Sequence, residues 1–220
     1  MKWENSKALT PLKRDFLQTF FSKEKRFFLT GGSALGLFYL DHRYSYDLDL
    51  FTSETPEWLE IDGVFRLCAR EIGAVAEILR DAPTFRRYRL SRGGESEIVD
   101  FVLAIDRQID EIKESFDNVR VDTLHEIFVN KITTLISRSE LKDLVDLYFL
   151  EQEGMRIEDH FDEARQKDGG LDPAMISCML KSLQITELPD YLIKGISLVD
   201  LKGYIEELRM RMALLAYPES

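Results

Sequence analysis

The stretch that decides the fold is Phe27–Thr52, FFLTGGSALGLFYLDHRYSYDLDLFT. Its first four residues form a short apolar run suited to a buried strand, and two glycines follow that permit a sharp turn. Most residues of Ala34–Leu40 are good helix formers, and Ser33 stands just before them as a preferred N-cap residue. The pattern therefore predicts a strand, a glycine turn and a helix in direct succession.

The start of this predicted helix favours an anion site. Backbone amides at the first turn of a helix have no intrahelical acceptor, and the helix dipole places partial positive charge there. Gly31, Gly32 and Ser33 supply the backbone over which those amides point. We expect these three residues to bind an anionic ligand.

A pair of carboxylates follows on the next predicted strand. Residues 47–51, DLDLF, alternate acid with apolar residue, so Asp47 and Asp49 share one strand face. Two like charges on one face are explained best by a cation between them, and carboxylate oxygens suit Mg²⁺, with Mn²⁺ as an alternative. The simpler interpretation is an edge strand with a solvated face and an ordinary turn upstream. The order of glycine turn, helix and acid strand favours the metal site.

This segment resembles the signature of the DNA polymerase β-type nucleotidyltransferase superfamily, in which a G[GS] turn and a D-x-D strand are separated by one helix. It is more closely similar to the AbiEii/AbiGii-type nucleotidyltransferase toxin family, whose pattern here reads GG[ST]AL…HR.S.DLD[LF]FT. His42, Arg43, Ser45, Phe51 and Thr52 match this family pattern as well as the superfamily core does.

The resemblance extends, with gaps, from about Gly31 to Leu150, and it implies an α+β fold. The expected core, residues 1–120, is a polymerase β-like nucleotidyltransferase domain with a mixed, mainly antiparallel sheet and helices. Residues 121–220 are expected to form an α-helical C-terminal domain that completes the active-site cleft. The resemblance also implies that the glycine turn binds the triphosphate of an NTP, among ATP, GTP, CTP and UTP.

Flanking elements follow from hydrophobic periodicity. Thr10 and Pro11 predict the start of a helix that runs to about Ser22, and a second helix is predicted from Pro56 to Gly73. A strand is predicted over residues 74–79, and a hairpin joins strands 85–90 and 97–104; from residue 122 onward the pattern is helical. In the second helix we expect one inward face, formed by Trp58, Leu59, Val64, Phe65, Leu67 and Cys68.

Asp100 is a lone acid within the apolar strand EIVDFVLAID. A buried carboxylate is costly unless it is paired or binds a metal. In the superfamily a third acid on a neighbouring antiparallel strand completes the metal set, and Asp100 resembles that position; the alternative is a side chain that points to solvent. The other hairpin strand is the most basic stretch of the chain, and it either lines the path of an anionic substrate or is a solvated edge strand. Its arginines are Arg86, Arg87, Arg89 and Arg92.

Two helical motifs after residue 122 match the family further. Lys131 in VNKITTLISR resembles a helix lysine that faces the nucleotide phosphates, and the R…KD..DL..L motif that follows matches at Arg138, Lys142 and Asp143. The resemblance implies nucleotide binding by Lys131, Arg138 and Lys142 and a catalytic or supporting role for Asp143. The alternative is an ordinary ion pair between Lys142 and Asp146, one helical turn apart on a solvated face.

Composition limits the classes of function. The chain has 220 residues and a formal net charge of −11, from 40 acidic and 29 basic residues, so its overall field repels polyanions without excluding a local basic groove. Cys68 and Cys178 lack metal-ligand spacing, which predicts reduced thiols and a cytoplasmic protein. Neither a signal sequence nor a membrane span is predicted. His160 has no ligand spacing either, so a core or surface role is expected for it.

These observations predict an Mg²⁺-dependent nucleotidyltransferase that transfers NMP from an NTP to an acceptor hydroxyl, with Asp47, Asp49 and Asp100 as metal ligands and Lys131 as a catalytic cation. The family resemblance favours RNA as acceptor, specifically a tRNA 3′ end, in a type IV toxin-antitoxin or abortive-infection system with an antitoxin encoded nearby. The acidic composition favours instead a small hydroxyl substrate, such as an antibiotic, or a protein side chain. A further alternative is a nucleotide-binding module without catalysis.

Overall fold

The structure is a computed structural model that describes residues 2–137 and 140–217. The chain divides into two compact units, one up to Leu124 and one from His125 onward. The first unit, called unit 1 below, contains the sheet, and the second, unit 2, is helical.

Unit 1 is built on a seven-stranded sheet within the described residues. The strands are β1 (Phe28–Thr30), β2 (Asp47–Thr52), β3 (Val75–Ala82), β4 (Phe85–Arg92), β5 (Glu95–Leu103), β6 (Glu114–Phe116) and β7 (Val119–Val121). Their order is β3-β4-β5-β2-β1-β7-β6, with β2–β5 and β1–β7 parallel and the other neighbours antiparallel. The prediction of a mixed, mainly antiparallel sheet is confirmed, whereas β6 and β7 are too short to give a sequence signal.

The central segment folds as strand, helix and strand, with one difference from prediction. Helix α2 (Gly31–Ala34) begins immediately after β1 and continues as a π-helical turn over Leu35–Leu40. The prediction that Ser33 is the N-cap is wrong, because Thr30 occupies that position. Gly31 has φ +67°, a left-handed conformation that glycine adopts without strain, so the chain enters the helix three residues earlier than expected.

Two helices pack on one face of the sheet and form an aromatic core. They are α1 (Pro11–Lys23), capped by the Thr10 hydroxyl as predicted, and α3 (Trp58–Glu71). Phe65 of α3 stacks on Tyr88 of β4 with ring centroids 4.2 Å apart, and it meets Phe101 of β5 edge-on at 5.8 Å. This packing holds β4 and β5 together from one side of the sheet, and Asp47, Asp49 and Asp100 lie on the other side.

The predicted inward face of α3 is only partly correct. Phe65 and Cys68 are buried, but Leu59 is 86% exposed and Leu67 is also exposed. The helical period explains this, since positions 61, 65, 68 and 69 form one stripe whereas Leu59 lies two residues, about 200°, from Ile61. Burial raises the pKa of the Cys68 thiol to about 11.

Unit 2 consists of helices joined by short connections. Asp172 caps one of them by accepting a hydrogen bond from the Met175 amide, at the Asp-Pro start that the sequence indicates. No helix among the described residues is both long and apolar enough to cross a bilayer. The helices are α4 (Leu124–Ser137), α5 (Leu141–Gln152), α6 (Ile157–Lys167), α7 (Pro173–Ser182) and α8 (Leu198–Ala216).

Candidate active site

Three carboxylates meet on one face of the sheet in unit 1. Asp47 and Asp49 lie on the more open face of β2, while Leu48 and Leu50 are buried on the other face. Asp100 of β5 is directly opposite Asp49 in the register. One carboxylate oxygen from each acid lies within 4.8 Å of those of the other two. We call these three residues the acid cluster.

Strand direction at this site differs from the expectation. The third acid was predicted on a neighbouring antiparallel strand, but β5 runs parallel to β2. The antiparallel hairpin of β4 and β5 reverses the chain, so that β5 runs in the same direction as β2. The juxtaposition of Asp49 and Asp100 is therefore a product of long-range register rather than of local sequence.

The glycine turn lies directly against the acid cluster. A Cβ atom added at Gly31 would lie 2.8 Å from Oδ2 of Asp49, and one added at Gly32 would overlap the guanidinium of Arg43. Position 31 therefore favours glycine through its φ angle as well as through close approach, and a side chain at position 32 would have to displace the Arg43 guanidinium. The predicted anion-binding turn and the predicted metal strand are in contact.

The two serines of the signature support the acid strand. The Ser33 hydroxyl donates to the backbone carbonyl of Asp47, and Ser45 Oγ donates to Asp47 Oδ1 at 3.3 Å. Lys13 of α1 donates to the Ser45 carbonyl at 2.6 Å and lies 3.3 Å from Glu97. Ser33 is only 1% exposed, and its hydroxyl connects the start of helix α2 to β2.

Arg87 forms a bidentate ion pair with the acid cluster, which sequence reasoning did not predict. Its Nε donates to Asp100 Oδ1 at 2.8 Å and its Nη2 to Asp100 Oδ2 at 2.6 Å. The pKa of Arg87 is raised, first by these hydrogen bonds and further by the charges of Asp47 and Asp49. The Asp100 side chain is 5% exposed and that of Arg87 is 42% exposed, so the arginine covers the acid from the solvent side.

A second set of buried polar residues lies next to the acid cluster, on the other side of β2 in the sheet. Thr30 is opposite Asp49 in the register, and its hydroxyl donates to Asp122 Oδ2 at 2.7 Å. Lys113 donates to Asp122 Oδ1 at 2.8 Å, and both charged side chains are at most 3% exposed. The sequence indicated Asp122 only as the opening of a helix; an acid directly after the apolar strand β7 was the available signal.

The arginines of β4 have acid partners. Arg86 contacts Asp62, and Arg89 pairs with Glu77 at 2.8 Å. Arg92 pairs with Asp15, also at 2.8 Å. The basic stretch seen in the sequence is thus compensated locally by acids from three other segments.

The predicted residues of unit 2 form a buried cluster of their own. Lys131 Nζ lies 2.6 Å from Asp143 and 2.7 Å from Asp146, and all three side chains are at most 5% exposed. Lys142 instead pairs with Glu140 at the surface, at 2.8 Å. Arg138 lies outside the described residues. The structure therefore brings Lys131 and Asp143 together and separates Lys142 from them.

Several solved structures are similar to this chain. A presumed nucleotidyltransferase from Helicobacter pylori is 22% identical, with a TM-score of 0.60 and 93% of each chain covered. JHP933, also from H. pylori, is 21% identical with a TM-score of 0.59, covering 93% of this chain and 90% of its own. MenT4, a nucleotidyltransferase toxin from Mycobacterium tuberculosis, is 14% identical with a TM-score of 0.49, covering 91% and 81%. Among curated proteins no sequence matches.

The sequence profile of one family covers most of the chain. It is described as nucleotidyl transferase AbiEii toxin, type IV TA system, and it matches residues 15–209. That range includes the glycine turn, the acid cluster and the buried lysine of unit 2. The chain belongs to the AbiEii family of nucleotidyltransferase toxins.

Proposed function

We propose that the protein transfers NMP from an NTP to the hydroxyl of an RNA, specifically a tRNA 3′ end. The observation that carries the transfer chemistry is the acid cluster, three carboxylates whose oxygens lie within 4.8 Å of one another beside a glycine turn. Like charges at this spacing destabilise a fold unless a cation or cationic substrate group compensates them. Family membership supports nucleotidyl transfer as the reaction.

The acid cluster suits a hard divalent cation. Asp47, Asp49 and Asp100 offer oxygen ligands alone, which Mg²⁺ or Mn²⁺ prefers over nitrogen or sulfur. Two of the three side chains are partly open to solvent, which leaves room for water and phosphate oxygens as further ligands. The bound ion would neutralise the negative charge that grows on the phosphate oxygens during transfer.

The protein groups of unit 1 have separate tasks. The backbone amides of Gly32 and Ser33 would hold the triphosphate next to the acid cluster. The acceptor oxygen forms a bond to the α-phosphorus, the bond to the bridging oxygen breaks, and pyrophosphate leaves. Asp100 would take up the proton of the acceptor hydroxyl, which requires Arg87 to release at least one of the two oxygens that it binds.

For unit 2 the proposal follows the family motif. Lys131, together with Arg138 and Lys142, would bind nucleotide phosphates, and Asp143 would support Lys131. An ammonium has three N–H donors, and Asp143 and Asp146 together take two of those of Lys131 and hold its direction. The buried position of this lysine also fits a structural role, which charge-balanced substitution of Lys131, Asp143 and Asp146 distinguishes from nucleotide binding.

Two observations favour different classes of acceptor. A type IV toxin family favours RNA and an antitoxin partner, whereas the net charge of −11 favours a small hydroxyl compound. Both alternatives use the same transfer chemistry. They differ in whether phosphate contacts bring the acceptor to the site.

The test is label transfer from each of the four α-labelled NTPs, in Mg²⁺, to total tRNA, to a panel of aminoglycosides and to the protein itself. We expect label on tRNA with wild type and none with Asp49→Asn. Label on an aminoglycoside or on protein would replace the RNA acceptor while retaining the chemistry. NTP binding without transfer to any acceptor would favour a nucleotide-binding module.

A further inference from the structure

A second cluster of metal-ligating side chains lies in unit 2. His125 belongs to the first turn of α4, and His160 and Glu163 are three residues apart on α6. His125 Nε2 and His160 Nδ1 each lie 2.9 Å from Glu163 Oε2. One ligand atom from each of the three side chains lies within 4.8 Å of those of the other two.

The chemistry of this donor set differs from that of the acid cluster. Two imidazole nitrogens and one carboxylate form a set that borderline metals such as Zn²⁺ accept, whereas Mg²⁺ prefers oxygen ligands. Residues at i and i+3 on a helix project from the same face, which lets His160 and Glu163 bind one ion together. His125 then supplies the third ligand from a different helix.

The geometry is close to that of a bound ion. Two ligands of one Zn²⁺ ion lie about 3 to 3.5 Å apart, because each metal–ligand bond is about 2.0 to 2.2 Å long. The two nitrogen–oxygen distances of 2.9 Å are already slightly shorter than this, so small rotations of the side chains would admit an ion. The ring of His160 is held at right angles to Phe128, with centroids 5.4 Å apart.

Access to the cluster is open. The side chains of His125, His160 and Glu163 are 30%, 26% and 36% exposed, so an ion can enter from solvent and keep a water molecule as fourth ligand. A hydrogen-bonded cluster would also explain the contacts with Glu163. Because both rings contact the same oxygen of Glu163, that arrangement also places their centroids 5.0 Å apart, and metal binding itself distinguishes the two.

We propose that His125, His160 and Glu163 form a site for Zn²⁺ or a similar borderline metal ion, which links α4 to α6. The three ligands span 38 residues of sequence, so the ion would close a loop of unit 2 and stabilise it. This inference is independent of the proposed nucleotidyl transfer, because it involves none of the residues of the acid cluster.

The experiment is titration of the untagged, chelator-treated full chain with Zn²⁺ and Co²⁺, followed by calorimetry and by the visible absorption of bound Co²⁺. The Asp49→Asn variant is used throughout to weaken the acid cluster as a competing site. We expect one ion per chain, a raised melting temperature on Zn²⁺ addition, and a Co²⁺ spectrum that indicates nitrogen ligands. An excess of Mg²⁺ should not displace the ion.

Matched variants locate the site. In the same background, His160→Gln and Glu163→Gln should each weaken Zn²⁺ affinity by about 100-fold or more, since loss of a supporting outer residue alone costs 10- to 100-fold. Asp159→Asn, which removes an exposed acid from the same helix, should leave the affinity unchanged. Two different ligand variants guard against misfolding of either one. Zn²⁺ binding that is absent, or equal in the ligand variants and the Asp159 control, would overturn the proposal.

Discussion

The acid cluster of unit 1 and the Lys131 cluster of unit 2 use the same residue types in opposite ways. In unit 1 three carboxylates lie together, and the side chain of Arg87, which pairs with Asp100, is 42% exposed. In unit 2 two carboxylates enclose one ammonium, and no side chain in that group is more than 5% exposed. The first group gathers three acids on an accessible face of the sheet, and the second is closed around one lysine.

This difference predicts which cluster affects cation binding and which affects the stability of the fold. An accessible excess of like charge costs folding free energy and is relieved when a cation binds. A buried pair contributes little net stability over an apolar replacement, yet removal of one partner is severe because the remaining charge stays buried. We therefore expect substitutions in the acid cluster to change activity at constant stability. Substitutions in the Lys131 cluster should change stability first.

The largest effect is expected at Asp49. Asp49→Asn should lower the rate of nucleotidyl transfer by about a thousandfold or more, because a lost metal-binding carboxylate costs several kcal/mol of barrier. Its melting temperature without metal should be unchanged or higher, since one of three repelling charges is removed. The exposed Glu57→Gln is the control for loss of an acid from unit 1. Full transfer activity in Asp49→Asn would remove the acid cluster from the chemistry.

The next effect concerns Lys131. Lys131→Met should lower the free energy of unfolding by about 3 to 5 kcal/mol, because Asp143 and Asp146 would remain buried without their cation. Urea denaturation measures this, and Lys142→Met, a surface change on α5, should stay within about 0.5 kcal/mol of wild type.

Removing both acids together with Lys131 distinguishes a structural role of this lysine from a catalytic one. The triple variant with Asp143→Asn and Asp146→Asn added to Lys131→Met should recover most of the lost stability. If its transfer activity also recovers, Lys131 is structural. If stability recovers while activity stays low, the proposed role of Lys131 at the nucleotide is supported. Wild-type stability of Lys131→Met alone would contradict the assignment of a closed cluster.

A smaller effect is expected from Arg87, the cation of the open cluster. Arg87→Gln should raise the affinity for Mn²⁺ by about threefold to tenfold, because a partly exposed bidentate pair no longer competes for Asp100. Calorimetric titration with Mn²⁺ measures the change, with Arg70→Gln as a control of equal charge. A fall in Mn²⁺ affinity would mean that Arg87 organises the acid cluster instead of competing with the ion.

Local sequence predicted those parts of the site that are contiguous in the chain. The glycine turn and the two acids of β2 are readable because their spacing specifies one strand–helix–strand segment. Asp100 lies opposite Asp49, but on a parallel strand where an antiparallel one was expected, since register between distant strands has no local signature. Arg87, Thr30 and Lys113 were missed as partners for the same reason.

In unit 2 the sequence predicted the helices but not the contacts between them. Periodicity located Lys131 and Asp143 on helices. The family resemblance implied that Lys142 acts with them, whereas the structure pairs Lys142 with Glu140 at the surface. His125 and His160 are 35 residues apart in sequence, and nothing in their spacing predicts that their rings lie within 5.0 Å. Contacts between helices depend on packing angles that a single sequence does not specify.

The smallest effect is the one that distinguishes acceptors, and it uses Arg89 and Arg92 of β4. If tRNA is the acceptor, its binding should weaken with salt, with a log-log slope of about −0.7 for each contacted phosphate of a single strand. Both arginines are paired with acids, so a phosphate must displace a carboxylate to reach them. The double variant to Gln should therefore flatten the slope by about one unit or less, while NTP binding is unchanged.

The control for that measurement is Arg66→Gln with Arg70→Gln, which removes the same charge from an exposed face of α3. A long-range effect of net charge would change both double variants alike, whereas phosphate contacts along β4 would change only the first. Filter binding of labelled tRNA over a range of KCl concentrations measures both slopes. Equal slopes in wild type and both variants would exclude β4 from the RNA path, and an acceptor KM that does not depend on salt would favour a small hydroxyl substrate, which needs no phosphate contacts to reach an acidic protein.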